Sequence, residues 1–386
     1  MAVQSLSEPG FSYVQTRGAD PLPPPSLVRG PLAWVRQNLF SSVPNAVLTL
    51  LALYVLYLVV PPLLRFAFVD AVWTGADRAA CREDMAGRPV GACWAFVADR
   101  IGYFIYGGYP VESRWRVNVF FAMLALGVAW MLWLRAPRRD LGAAYFFIVF
   151  PVASFILLTG WNAIGLQAVP TGFWGGVLVT FVVSIVGIVF SLPLGILLAL
   201  GRRSSLPLVR LGSVIFIEVV RGVPLITVLI MANTMLPLFL PAGVSVDRLL
   251  RPLVGVAIFA AAYMAEVVRG GLQAVPKGQY EGAMSLGLGY WRMMFFIVLP
   301  QALRIVIPGI VNTFIGLFKD TSLVYVIGVF DLMKTIESAR IDPQWAAPTV
   351  SNTGYLFAAT FYFLCCFGMS RYSLMVERKL AAGQRR

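Results

Sequence analysis

The chain contains no histidine. The commonest general base and the commonest metal ligand are therefore missing. Serine-centred and metal-centred catalysis lose their usual partners, and no convincing ligand cluster replaces them. A Gly-x-x-x-x-Gly-Lys-Ser/Thr run, the loop that cradles nucleotide phosphates, is also absent. ATP hydrolysis by that route is excluded. Charge is scarce, at 13% of 386 residues, and acidic charge scarcer, with 18 Asp and Glu against 31 Lys and Arg. Only four cysteines occur. No secretory signal opens the sequence. About 40 residues precede the first apolar run and include the proline-rich stretch 21–25, which reads as a disordered tail with some polyproline character.

What the chain has instead is apolar surface. Hydrophobic residues make up 59% and mean hydropathy is +0.78. Such a chain cannot cover itself with polar groups in water and needs a lipid bilayer as solvent. The basic excess then reads as topology signal rather than as a nucleic-acid surface, because cytoplasmic loops collect Lys and Arg.

A spanning helix takes about 20 apolar residues. Eight candidates appear, at 45–68, 117–134, 143–160, 172–200, 208–240, 252–268, 293–316 and 355–376. A further apolar patch at 322–333 is short and reads as a short helix or re-entrant turn. Arg135, Arg138 and Arg139 follow the second candidate; Arg202 and Arg203 follow the fourth. Lys277 and Arg292 flank the loop after the sixth, and Arg371, Arg378, Lys379, Arg385 and Arg386 close the chain. All fall on one side if the N-terminus is cytoplasmic. The reading is an all-α polytopic membrane protein with both termini cytoplasmic. Its parts are a proline-containing tail (1–43), three N-terminal helices with an outer loop at 70–116 (44–165), a five-helix core (166–378) and a basic tail (379–386). No internal repeat is evident.

The loop at 276–300 is polar and punctuated by glycine. Pro276 suits the start of a helix running from about Gly278 to Leu286. Gly287 suits the left-handed residue that ends it. A second short helix begins near Tyr290 and leads into the seventh span, with Pro300 early in it. Tyr280, Met284, Tyr290 and Trp291 give this knob adhesive apolar area, the composition of an interface anchor. Glu281 and Arg292 offer charges to orient it. An amphipathic loop lying on the membrane surface has the same composition.

Spacing separates the two readings. Glu281, Ala283, Gly287, Ile297, Leu299 and Pro300 resemble the EAA loop of bacterial ABC importer permeases. Around it stand Arg221-Gly222-Val223-Pro224, Arg269-Gly270-Gly271 with Val275-Pro276-Lys277-Gly278-Gln279, Leu299-Pro300-Gln301-Ala302-Leu303-Arg304, and Lys319-Asp320-Thr321-Ser322-Leu323. Several motifs in one order, over about 172–376, resemble the polar amino acid permeases of that superfamily. The three extra N-terminal spans resemble those of the longer permeases of general L-amino acid importers. The departure is Gly282, where the pattern has its first alanine.

The resemblance implies a type I permease core in the bacterial inner membrane that carries L-amino acids inward and is itself non-catalytic. Tyr280, Glu281, Gly282, Ala283, Gly287, Tyr290 and Trp291 would couple it to the ATPase. It implies two copies of a cytoplasmic ATPase that holds ATP and Mg, a second homologous permease in a heterodimer, and a periplasmic amino-acid-binding protein. No cofactor is expected in this chain.

Polar residues within apolar runs are costly and mark pathways. The run 208–240 would reach about 50 Å as one helix, beyond the ~30 Å hydrocarbon core. Gly222 and Pro224 are its natural break. Glu218 and Arg221 precede that break, either as an i,i+3 pair satisfying itself or beside a translocation path. Asn312, Gly316, Lys319 and Asp320 share one helix face, followed by the hydroxyls of Thr321 and Ser322. Lys319 and Asp320 offer a zwitterion both signs, or they cap a helix leaving the membrane. Asn233 and Thr234 are weaker candidates. Glu266 and Arg269 would pair near the cytoplasmic exit. Cys365 and Cys366 read as filler. Cys81 and Cys93 share one polar loop and can form a disulfide if it lies outside the cytoplasm. A secondary transporter or channel for small polar solutes is the competing reading. It would not need the 276–300 loop. A membrane enzyme would need a nucleophile and base, and none is visible.

Overall fold

The computed structural model describes residues 30–133, 138–239, 241 and 246–384. The proline-rich stretch, Arg135, Arg385 and Arg386 lie outside them. The chain divides into two units, Met1–Arg65 and Phe66–Arg386.

The first unit holds α1 (Pro31–Leu39) and α2 (Val43–Leu64). Ser42 starts α2 by accepting a hydrogen bond from the backbone of Asn45, and proline stands in its first turn. Helix runs on through a π turn to Val69, giving a 27-residue apolar stretch in which Val43–Leu64 has no buried position. A helix apolar all round and covered by nothing is suited to hydrocarbon.

The second unit opens with α3 (Glu83–Ala86) and α4 (Trp94–Tyr106). The outer loop is thus a packed cap rather than an open excursion. Its Cys81 and Cys93 are joined by a disulfide, and both are buried. Two spans follow: α5 (Arg114–Leu132), then α6 (Arg139–Ala144) running through a π turn into α7 (Phe150–Thr159). The core comprises α8 (Gly176–Arg202), α9 (Pro207–Gly222), α10 (Leu225–Thr234) and α11 (Leu250–Ala274). It continues through α12 (Lys277–Ser285), α13 (Tyr290–Met293), α14 (Leu299–Ile305), α15 (Ile307–Asp320), α16 (Leu332–Ala339) and α17 (Pro348–Gln384).

Among the described residues seven helices are long and apolar enough to cross a bilayer, and eight if the bent pair α9–α10 counts as one span. This bears out the all-α polytopic reading; among the described residues no strand forms, only three isolated bridges. The break falls where proline removes a backbone donor: α9 and α10 meet at Gly222-Val223-Pro224 and bend by 103°. The patch at 322–333 begins as a 3-10 turn, Thr321–Ile327, closed by Gly328 at φ 78°.

Helices α8 and α11 form the centre. Small residues set their distance: a Cβ added at Gly195 would lie 2.7 Å from the Met264 side chain. The end of this pair bearing Arg202 and Arg203 is the inner end, by the charge rule. The opposite end, with Thr171, Asp247 and the cap, is the outer one. The cap is bolted to the outer segment that follows α15. Cys93 N–H donates to Thr353 Oγ1 at 2.8 Å, Trp345 Nε1 to Asp99 Oδ2 at 2.8 Å, and Arg100 pairs with Asp342 at 2.8 Å.

Candidate functional site

The inner end presents a knob made of α12 and α13. Pro276 precedes α12, and Gly287 ends the turn at φ 72°. In a helix side chains three and four apart share a face, so α12 looks two ways. Inward, Ala283 is 2% exposed and packs with Leu200, Met264, Leu272 and Met293. Tyr280 Oη donates to the Leu272 carbonyl at 2.9 Å and accepts from Arg203 Nη1 at 3.0 Å. The Arg203 guanidinium also lies over the Tyr280 ring, 5.5 Å from its centroid. Outward, Glu281, Met284 and Leu286 are exposed. Tyr290 and Trp291 join them edge to face at 5.3 Å, also exposed. The knob is anchored on one side and bare on the other.

Glu281 and Arg292 make no ion pair among the described residues, although both are exposed. A Cβ at Gly282 would meet nothing within 4 Å. The missing methyl therefore leaves no gap, and the glycine costs only helix propensity, about 1 kcal/mol.

Beside the knob lies a chain of charges. Arg202, the last residue of α8, donates from one nitrogen to Glu218 on α9 and to Glu266 on α11, each at 2.8 Å. Arg269 holds the other Glu266 oxygen at 2.8 and 3.0 Å. Arg221 stands 3.8 Å from Glu266 and over the Tyr263 ring at 5.5 Å. Glu218 and Arg221 thus do not satisfy each other; each turns to another helix. With Arg203 on Tyr280 and Arg202 on Glu218 and Glu266, two adjacent residues connect α12, α9 and α11.

The second group of polar candidates lies at the other end. Helix α8 is about 40 Å long at ~1.5 Å per residue, and its first turn is at the outer end, where Gly176 N–H donates to the Phe330 carbonyl at 2.9 Å. Asn312, Gly316 and Lys319 form an open strip on α15, and no atom would approach a Cβ at Gly316 within 4 Å. Asp320 is half-buried. Thr321 is buried with its hydroxyl donated to Phe318 O at 2.7 Å, and Ser322 Oγ donates to Lys319 O at 2.8 Å. Both hydroxyls are spent on their own helix. Lys319 and Asp320 have no ion pair among the described residues. Asn233 offers its carbonyl to Arg251 at 3.1 Å, and Thr234 bonds back to Ile230 at 2.7 Å.

Sequence reasoning missed the pairing roles of Arg202 and Arg203, which stood out only as topology signals, and the buried Asp331. No local pattern marks them: Arg202 is sixteen residues from Glu218 and sixty-four from Glu266.

Comparison with known proteins identifies the family. The family of binding-protein-dependent transport system inner membrane components matches residues 191–382. The inner membrane amino-acid ABC transporter permease protein YhdY of Escherichia coli is 50% identical over 353 residues, covering 92% of this chain and 94% of that one. The glutamate/glutamine/aspartate/asparagine transport system permease protein BztC of Rhodobacter capsulatus is 39% identical over 436 residues, 97% and 99% of the two chains. The probable glutamine ABC transporter permease protein GlnP of Bacillus subtilis is 34% identical over 204 residues, 53% of this chain and 91% of its own. Two relatives therefore match over nearly the whole length, N-terminal helices included, and the third over about half. The chain belongs to the inner membrane permeases of binding-protein-dependent ABC transporters, among those for amino acids.

Proposed function

We propose that this chain is the membrane subunit of an ATP-driven importer that carries L-amino acids from the periplasm to the cytoplasm. The single observation that carries the mechanism is the two-faced knob. Tyr280 and Ala283 fasten α12 to the core, while Glu281, Met284, Tyr290 and Trp291 are left bare at the cytoplasmic end. An apolar, aromatic surface around one exposed carboxylate is what a partner protein would grip. The partner is a cytoplasmic ATPase, present in two copies, which holds the ATP and Mg that this chain has no loop to bind. The chain pairs with a second, homologous permease, and a periplasmic binding protein delivers the amino acid to the outer face.

Force applied at α12 has a physical route. Closure of the ATPase pair displaces Tyr280; Arg203 follows it, and Arg202 next in sequence pulls on Glu218 of α9 and Glu266 of α11. Motion at the α9–α10 break then opens or closes the path. The open strip of Asn312, Gly316 and Lys319, with Asp320 beside it, supplies polar groups toward the outer end. A carboxylate substrate group favours Lys319 and an ammonium favours Asp320.

Glu281→Ala tests the docking. Loss of one central anchor should weaken ATPase binding about tenfold, or ~1.4 kcal/mol, while the chain still inserts and is recovered from membranes in normal amount. Pull-down with the co-expressed ATPase measures it. Unchanged binding in this variant and in one with residues 278–289 scrambled would remove the knob from the mechanism.

A further inference from the structure

A half-open trough of about 360 Å³ lies away from the polar path, between α7 and α8, with α5 behind it and the start of α11 at one end. Helix α8 contributes Val182, Val186 and Val189, and α7 contributes Ser154, Phe155 and Leu158. Val182, Val186 and Val189 recur at three or four residues, as do Ser154 and Leu158, so each helix contributes a stripe along its length. The trough therefore runs along the helices, across the plane of the membrane. Its length on α8, from Val182 to Phe190, is about 12 Å.

Polarity is graded along it. The walls are almost wholly carbon apart from Ser154 Oγ and Trp174 Nε1, which have no hydrogen-bond partner among the described residues, and the remaining polar groups gather at the outer end, at Thr159, Thr171 and Asp247. There Thr171 donates to Asp247 Oδ2, while Asp247 Oδ1 accepts from Leu249 N–H at 2.8 Å and Leu250 N–H at 3.1 Å. The rim is thus built and carries one negative charge, with the apolar slot reaching inward from it. Trp174, buried at 6% exposure, lines the slot.

We infer that this trough holds an acyl chain of an outer-leaflet phospholipid with a zwitterionic, ammonium-bearing headgroup. The trough is narrow and elongated, the shape of a stretch of one acyl chain. A helix, about 10 Å across, would not fit it. An amino acid substrate would find no charge to hold it along the walls. The single polar end lies at the depth where a lipid changes from chain to headgroup, and the Asp247 carboxylate prefers an ammonium to an anionic head. Seated there, the chain cements the N-terminal helices α5 and α7 to the core helices α8 and α11.

Bromine on a lipid chain quenches an indole that it touches. The full chain is reconstituted in vesicles of phosphatidylethanolamine and phosphatidylglycerol, with and without bromine on the phosphatidylethanolamine chains. The share of emission owed to Trp174 is the difference between wild type and Trp174→Phe. Annular lipid does not reach this buried ring; a chain in the trough does. The expected result is loss of the Trp174 share in brominated vesicles, and its return in Ser154→Phe or Val186→Phe, which fill the trough from opposite walls. Native mass spectrometry of the unmodified chain released from its membranes should retain one phosphatidylethanolamine. An unquenched Trp174, equal quenching in the filled variants, no retained lipid, or phosphatidylglycerol retained instead would each overturn the proposal.

Discussion

Asp331 shows what burial does to a single carboxyl group. It lies in the outer segment between α15 and α17 and is fully buried. One oxygen accepts from Lys334 N–H at 2.9 Å and caps α16; the other has no hydrogen-bond partner. The Lys334 ammonium turns to Glu337 at 3.0 Å instead. Burial therefore outweighs the cap and pushes the carboxyl from 3.8 up to about 7. The folded chain holds this proton more tightly than the unfolded one does. The stabilisation is fully present below pH 3.8 and is lost as pH rises through about 7. The amount is on the order of 4 kcal/mol. Melting of the purified chain should fall with pH across that window, and Asp331→Asn should remove the difference. Equal pH slopes for wild type and variant would contradict the assignment. None of this was legible in the sequence, where Asp331 falls at the end of the short apolar patch 322–333 and nothing local marks it. Its burial comes from packing of α16 on the first turn of α8, a contact between residues about 150 positions apart, seen where Leu332 N–H donates to Thr180 Oγ1.

At the scale of elements, legibility follows length and local chemistry. The 208–240 run was too long for the bilayer, and Gly222 and Pro224 marked where it had to break; α9 and α10 meet there. The helix α12 and the left-handed Gly287 were likewise written in local residues. The helix α4 was not, because its 13 residues are too few for a span and its buried Phe96 and Phe104 declare themselves only against Trp345 and Phe357. The charge chain was half visible. Glu266 and Arg269 are neighbours on α11, whereas Arg202 reaches Glu218 and Glu266 only through the fold. Glu266 is the hub, since Arg202, Arg221 and Arg269 all face it. Removing this partly buried carboxylate takes the only acidic partner from Arg221 and Arg269 among the described residues and leaves Arg202 with Glu218 alone, so Glu266→Gln should destabilise the chain by about 3 kcal/mol. Arg202→Gln should cost less in that background than alone, because the shared bond is already gone. Thermal melting of the four variants of this cycle measures the coupling. Strict additivity would mean that Arg202 and Glu266 act separately.

For the whole molecule, composition demands a membrane and charge sets the orientation; together they put the knob on the ATP side. The fold adds what holds the halves of the second unit in place: a disulfide-pinned cap on the outer face, and the α8–α11 pair through the centre. Full-length relatives then put the N-terminal helices inside the family rather than outside it. The central claim is that transport is driven by ATP through the knob. Its most direct measurement is uptake of labelled L-amino acids into vesicles holding this chain, its co-expressed permease and ATPase neighbours, and the binding protein. Uptake should need ATP on the knob side, stop when the ATPase is left out, and fall in Glu281→Ala, while ion gradients make no difference. Uptake that persists without the ATPase and follows an ion gradient would contradict it.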